Sequence, residues 1–182
     1  MVEMAYEKFR QFEWLTRGLT ASSPNLSPSI RETGMKPLDY QDRLGAIAAM
    51  DTQLAKSVTA LIIYDGNSES DYKYVREHLA NIMIKNAAID KRREPEVVAI
   101  YHLAWLIARM VLDFALDPSL EEDYTNKGRL SYAGLKSHQM SVNAYRQTWK
   151  GYENLMSVAI ESAIDEAGKT IEKYRKETFK AM

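Results

Sequence analysis

There is no cysteine anywhere in this chain of 182 residues. A disulfide framework and any cysteine-ligated zinc or iron–sulfur site are thereby excluded, and the absence fits a reducing cytoplasm. Glycine (8) and proline (5) are scarce, and no stretch alternates polar and apolar residues for long. Strands, and the turns that sheets need, are therefore not expected. Met1 to Arg10 lacks the basic and apolar blocks of a secretion signal. Histidine is limited to His78, His102 and His138. No two are spaced i, i+4, no HExxH occurs, and neither a phosphate-cradling glycine loop nor a nucleophile elbow is present. On this reading the chain is a cytoplasmic protein, not an enzyme, and carries no metal or cofactor.

What is present is helical spacing. Hydrophobic residues make up 46% of the chain, enough for a core without staples. The spacing predicts an all-α fold: a multi-helix bundle with a C-terminal helix-turn-helix-like unit and a long final helix. Residues 1–36 read as an N-terminal helix (Tyr6, Phe9, Phe12, Leu15, stopping at Gly18) and a Ser/Pro-rich linker. Residues 37–118 read as a helical core. Asp39 can cap a helix to about Met50, with Tyr40, Leu44 and Ile47 on one face. Asp51 can cap the next, carrying Leu54, Val58, Leu61 and Ile62 and stopping at Gly66. Ser68 or Ser70 starts another, with Tyr72, Val75, Leu79, Ile82 and Met83, fading at Asp90 to Arg93. Pro95 suits the first turn of a helix that runs to Leu116 and ends at Asp117-Pro118. That stretch, Val97 to Leu116, is apolar nearly all round. The charges of Arg109 and Asp113, at i, i+4, argue for a buried central helix rather than a membrane span. His102 on it reads as a core residue.

Residues 119–182 form the third part and are expected to make one compact unit with the core. After a polar loop, Leu130 to about Ser137 reads as a short helix and His138 to Met140 as a tight turn. Ser141 is a good N-cap for a final helix. Its stripe (Val142, Tyr145, Trp149, Tyr152, Met156, Ala159, Ala163, Ala167, Ile171, Tyr174) continues for more than thirty residues, about 50 Å at 1.5 Å per residue. Such a helix is expected to outrun the domain, leaving its far end in solvent or against a second copy. The carboxylates Glu161, Asp165, Glu166 and Glu172 read as a solvated face.

The functional signal lies at the start of that helix. Net charge is −1 overall, but Tyr124 to Tyr152 contains no Asp or Glu and holds Lys127, Arg129, Lys136, Arg146 and Lys150. These 29 residues carry +5 and the other 153 carry −6, an asymmetry that a polyanion would feel. A short helix, a turn and a second helix is a helix-turn-helix outline, and the second helix of such units reads base edges in the major groove. Asn143, Arg146, Gln147 and Lys150 fall at i, i+3, i+4 and i+7 and so share a face, starting just after Ser141. Asn and Gln pair with adenine, Arg with guanine, and Lys suits a phosphate or a guanine. Tyr145, Trp149 and Tyr152 point the other way.

The run Ile107-Ala-Arg-Met-Val-Leu-Asp-Phe-Ala-Leu-Asp-Pro118, then Gly128-Arg-Leu-Ser131, Val142-Asn-Ala-Tyr-Arg-Gln-Thr-Trp149 and Tyr152-Glu153, resembles the late-gene antitermination proteins of lambdoid phages, the Q proteins. The resemblance covers roughly residues 100–164. Several members of that group carry a cysteine zinc motif in the loop; Asp117 to Gly128 has none, so this would be a zinc-free variant. The resemblance implies a DNA-binding transcription regulator in the host cytoplasm that binds double-stranded DNA at a late promoter. It implies loading onto RNA polymerase and resistance to terminators. By position, Asn143, Arg146, Gln147 and Lys150 would read DNA, Lys136 and Arg129 would hold phosphates, and Ser141 at the helix start would belong to the same DNA-binding set. The alternative is a non-catalytic helical protein–protein interaction module, an adaptor or inhibitor, pairing through Ile160, Ile164, Ile171 and Tyr174, with a homodimer through the final helix as one form.

Overall fold

The computed structural model describes residues 8–16, 40–121 and 124–180. Tyr6, the Gly18 stop, the Ser/Pro-rich linker and the Asp39 cap lie outside them. The fold is all-α. A 3-10 turn (Arg10–Phe12) leads into α1 (Glu13–Thr16), followed by α2 (Tyr40–Ala48), α3 (Gln53–Ile63), α4 (Glu69–Ile89) and α5 (Ile100–Leu116). A second 3-10 turn (Pro118–Leu120) precedes α6 (Asn126–Ala133). The final helix is α7 (Val142–Ala144), a π-helical turn (Tyr145–Trp149) and α8 (Lys150–Lys180) in unbroken succession. Among the described residues there is no strand, and no helix is long and apolar enough to cross a membrane.

Several helix ends differ from their predicted form, each for a local reason. Thr52, not Asp51, caps α3: its hydroxyl accepts the Ala55 N–H at 3.1 Å. The Thr52 N–H and hydroxyl in turn donate to Glu166 of α8 at 3.1 and 3.0 Å, so this helix start is tied to the final helix. Gly66 closes α3 as expected, its N–H reaching the Leu61 carbonyl at 2.7 Å. Pro95 is not in the first turn of α5. It lies in the preceding loop, and the Glu94 carboxylate reaches forward to accept the Ile100 N–H at 3.0 Å, serving an orphan donor of the helix start. Leu44 points outward, 46% exposed, and α2 instead buries Ala46, with Met50 just beyond it.

One continuous hydrophobic core joins all these helices. α5 contributes Leu103, Ala104, Ile107, Met110, Leu112 and Phe114 to it, but Tyr101 is 66% exposed and His102 is also exposed, so His102 is not a core residue. The helix that touches nearly everything is the final one, which packs against α2, α3, α4 and α5. Other elements cover it as far as Tyr174, and beyond that Arg175, Lys176 and Glu177 are exposed. The N-terminal segment lies across it, with Lys8 paired to Glu161 at 2.6 Å and Trp14 against Tyr174 at 6.5 Å between ring centroids. A Cβ on Gly45 would collide with the Tyr174 ring, so α2 approaches α8 through its only glycine. Ile160, Ile164 and Ile171 are at most 1% exposed. These residues are the protein's own core, which corrects the expectation of a partner contact through them.

Asp113 and Arg109 are not paired with each other as their spacing suggested. Asp113 accepts the hydroxyls of Tyr72 (2.7 Å) and Tyr132 (3.0 Å), while Arg109 donates to the Tyr132 carbonyl at 2.6 Å. Burial and the Asp113 contact push both tyrosine hydroxyls above their usual range. This polar clamp joins α4, α5 and α6, and it fixes the frame on which the candidate site sits.

Candidate nucleic-acid interface

The site is assembled from α6, the segment 134–141 and the start of the final helix. α6 begins four residues earlier than its predicted start, because Thr125 caps it by accepting the Gly128 N–H at 3.2 Å. It ends at Gly134, whose φ of +87° puts it in the left-handed region that glycine alone enters without strain. A single tight turn follows, the N–H groups of Gln139 and Met140 both reaching the Lys136 carbonyl. Ser141 then caps the final helix, its hydroxyl accepting the Ala144 N–H at 3.1 Å. Residues 134–141 thus separate the two helices. This is not the three- or four-residue turn of a helix-turn-helix unit, and that part of the expectation is corrected.

Asn143, Arg146 and Gln147 are exposed on the first turns of the helix, and Arg146 donates to the Asn143 amide oxygen at 3.5 Å. Opposite them, Tyr145 and Trp149 are buried at 0% and 4% exposure and anchor the helix to the core. Lys136 is exposed beside this face. Ser141 is exposed as well, with its hydroxyl lone pair engaged in the cap.

Arg129 and Lys150 do not belong to the open set. Arg129 bridges Glu121 and Glu153, the latter at 2.6 Å, and Lys150 meets the same Glu153 oxygen at 2.7 Å. The π turn explains part of this. Five residues wound more loosely than an α-helix leave Lys150 about a quarter turn behind the face that α-helical spacing assigns it. Glu153 is the residue that sequence reading missed. It follows the acid-free window by one position and is 1% exposed. Burial pushes its carboxyl up to about 7, against the pull of Arg129 and with some help from Glu121. Burial, reinforced by Arg129, lowers the Lys150 ammonium to about 8, with Glu121 opposing.

Two further features border the helix start. Lys91 adopts a left-handed conformation (φ +52°) and turns the chain sharply after α4. This lays Arg92 and Arg93 along a cleft of about 540 Å³, shared with His138, Gln139, Thr148 and Glu96. Arg92 is held there by Tyr152, whose hydroxyl accepts from its Nε at 3.0 Å and donates to Asp90 at 2.6 Å. The signal in the sequence was the run Lys91-Arg92-Arg93, which helical periodicity treats only as a fading end. The second feature is exposed Lys127 on the open side of α6. Among the described residues, Lys127, Lys136 and Arg146 have no carboxylate partner within ion-pair distance.

No family model, no curated protein and no solved structure matches this chain.

Proposed function

We propose that this protein binds duplex DNA through the start of its final helix and regulates transcription. The observation that supports this is one group of three side chains. Asn143, Arg146 and Gln147 stand side by side on an anchored helix, exposed, with no carboxylate paired to the arginine. A major groove admits a helix, and amide and guanidinium groups are the donors that read adenine and guanine edges there. Lys136 on one flank and Arg93 on the other are placed to meet phosphates, which position a protein without reading sequence. The finer reading, an antitermination factor that loads onto RNA polymerase, rests on the phage resemblance alone.

The first test is a mobility shift at low salt with duplexes from the source genome, followed by footprinting on any that bind. Arg146→Ala and Asn143→Ala should each lose about 1–3 kcal/mol of discrimination between preferred and random duplexes. Lys136→Ala should weaken all duplexes alike. If no duplex is retarded at low salt, the DNA reading is wrong. For the finer reading, transcription from the footprinted promoter should read through a downstream terminator only when the protein is present. Termination unchanged by a DNA-bound protein would remove antitermination while leaving DNA binding intact.

A further inference from the structure

A groove of about 820 Å³ runs along the side of α6 away from the clamp to Glu153. Lys127, Leu130, Ser131 and Gly134 line it at i, i+3, i+4 and i+7, so it follows one face of α6 for about 10 Å. Its floor is apolar. Leu135 and Met140 close it from the 134–141 segment, and Val142, 39% exposed, forms the far wall. Val142 is the first residue of the final helix, and its apolar side chain is among the exposed large hydrophobics of the described residues. At Gly134 an added Cβ would meet nothing within 4 Å, so another backbone can come close there. Among the described residues, no Asp or Glu lines the groove. Two cations stand at its ends, Lys127 in the first turn of α6 and Lys136 beyond its last, and neither has a carboxylate partner among the described residues.

We infer that this groove docks an acidic amphipathic helix from a partner protein. The apolar floor requires apolar side chains at three- and four-residue steps, the pattern of a helix laid in a groove. The two lysines require carboxylates flanking that stripe, about two turns apart. Charge complementarity excludes a basic segment, whose like charges would face Lys127 and Lys136. A duplex does not fit this occupancy: it would cover the lysines and leave Leu135, Met140 and Val142 facing phosphates and water. The inference is independent of DNA binding, and Lys136 is the one residue the two share.

The experiment selects random peptides of about four helical turns on the immobilised full chain, with Ser131→Trp as the counter-selection. Ser131 is exposed on the groove face of α6, so the indole fills the groove without entering the core. Enriched peptides should combine apolar residues at helical spacing with Asp or Glu on both flanks. Their affinity, read by fluorescence anisotropy, should fall at least ~10-fold in Lys127→Glu and in Ser131→Trp, and stay within ~2-fold in Arg146→Ala. Ser131→Trp should retain whatever duplex binding the wild type shows, which separates failure of this inference from failure of the DNA reading. Enrichment of no peptide, enrichment of basic ones, or affinity indifferent to both groove variants would overturn it. So would a duplex, rather than a peptide, shifting the Leu130 and Val142 methyl resonances.

Discussion

Glu153 decides how much of the basic segment is open. Helical spacing from Trp149 puts position 153 on the core face, beside Tyr152 and ahead of Met156, and the structure buries all four. A charge count stops at the sign of each residue and cannot show that one carboxylate on the inner face absorbs two cations from a neighbouring stretch. The burial of Glu153 also makes the molecule pH-sensitive. The Glu153 carboxyl is raised from 4.5 to about 7. Between those values the folded state keeps a proton that the unfolded chain has lost, so this group's contribution to stability falls as pH rises. Lys150, lowered from 10.5 to about 8, acts in the opposite sense above pH 8. There the unfolded chain holds the extra proton, and stability climbs until pH passes 10.5. Urea unfolding across pH should therefore show a minimum between about 7 and 8. Each limb has a slope of at most about 1.4 kcal/mol per pH unit. Glu153→Gln should flatten the acid limb between 4.5 and 7. An undiminished acid limb in that variant would show that another group titrates there.

Among elements, the existence of nearly every described helix was legible and the site's geometry was not. Ser141 and Gly66 announced their helix ends because capping chemistry is local: a hydroxyl or an αL residue at a fixed offset. α6 was displaced in the reading because Thr125 sits inside a polar run, where one capping hydroxyl looks like any other loop residue. The π turn left no trace, since one residue too many per turn still lets Tyr145, Trp149, Tyr152 and Met156 step by three and four. Its consequence is large all the same, because it removes Lys150 from the face of Asn143. Two glycines bracket this region and should respond oppositely to alanine. Gly134 has open space around it but a positive φ, so Gly134→Ala should cost roughly 1–2 kcal/mol through the backbone alone. Gly151 is helical and exposed, with nothing near a new Cβ, so Gly151→Ala should stabilise by roughly 0.5–1 kcal/mol. Thermal melts of the two variants, shifted in the same direction, would contradict this account of the helix ends.

For the whole molecule, the arrangement of charge matters more than its sum. The pairing of segments about 150 residues apart, Lys8 with Glu161 and Trp14 with Tyr174, could not be read from periodicity. It covers the final helix as far as Tyr174, and among the described residues the near end is the part of that helix whose open side lacks carboxylates. The chain outside 124–152 carries −6, so a polyanion is repelled elsewhere and drawn to that end, which orients an encounter. The strength of the attraction depends on which cations are free. If all five basic residues of the segment met phosphates, the slope of log K against log salt would be about −4.5, at roughly 0.9 per phosphate. With Arg129 and Lys150 held by Glu153 and Lys127 lining the groove on α6, the cations left for phosphates are Lys136 and Arg93, and the slope should lie near −2. Lys136→Ala should make it shallower by about one, and Lys150→Ala should leave it within error. A wild-type slope near −4.5 that Lys150→Ala also reduces would mean that the Glu153 pairs open on DNA, and that the clamp between α6 and the final helix is released when the protein binds.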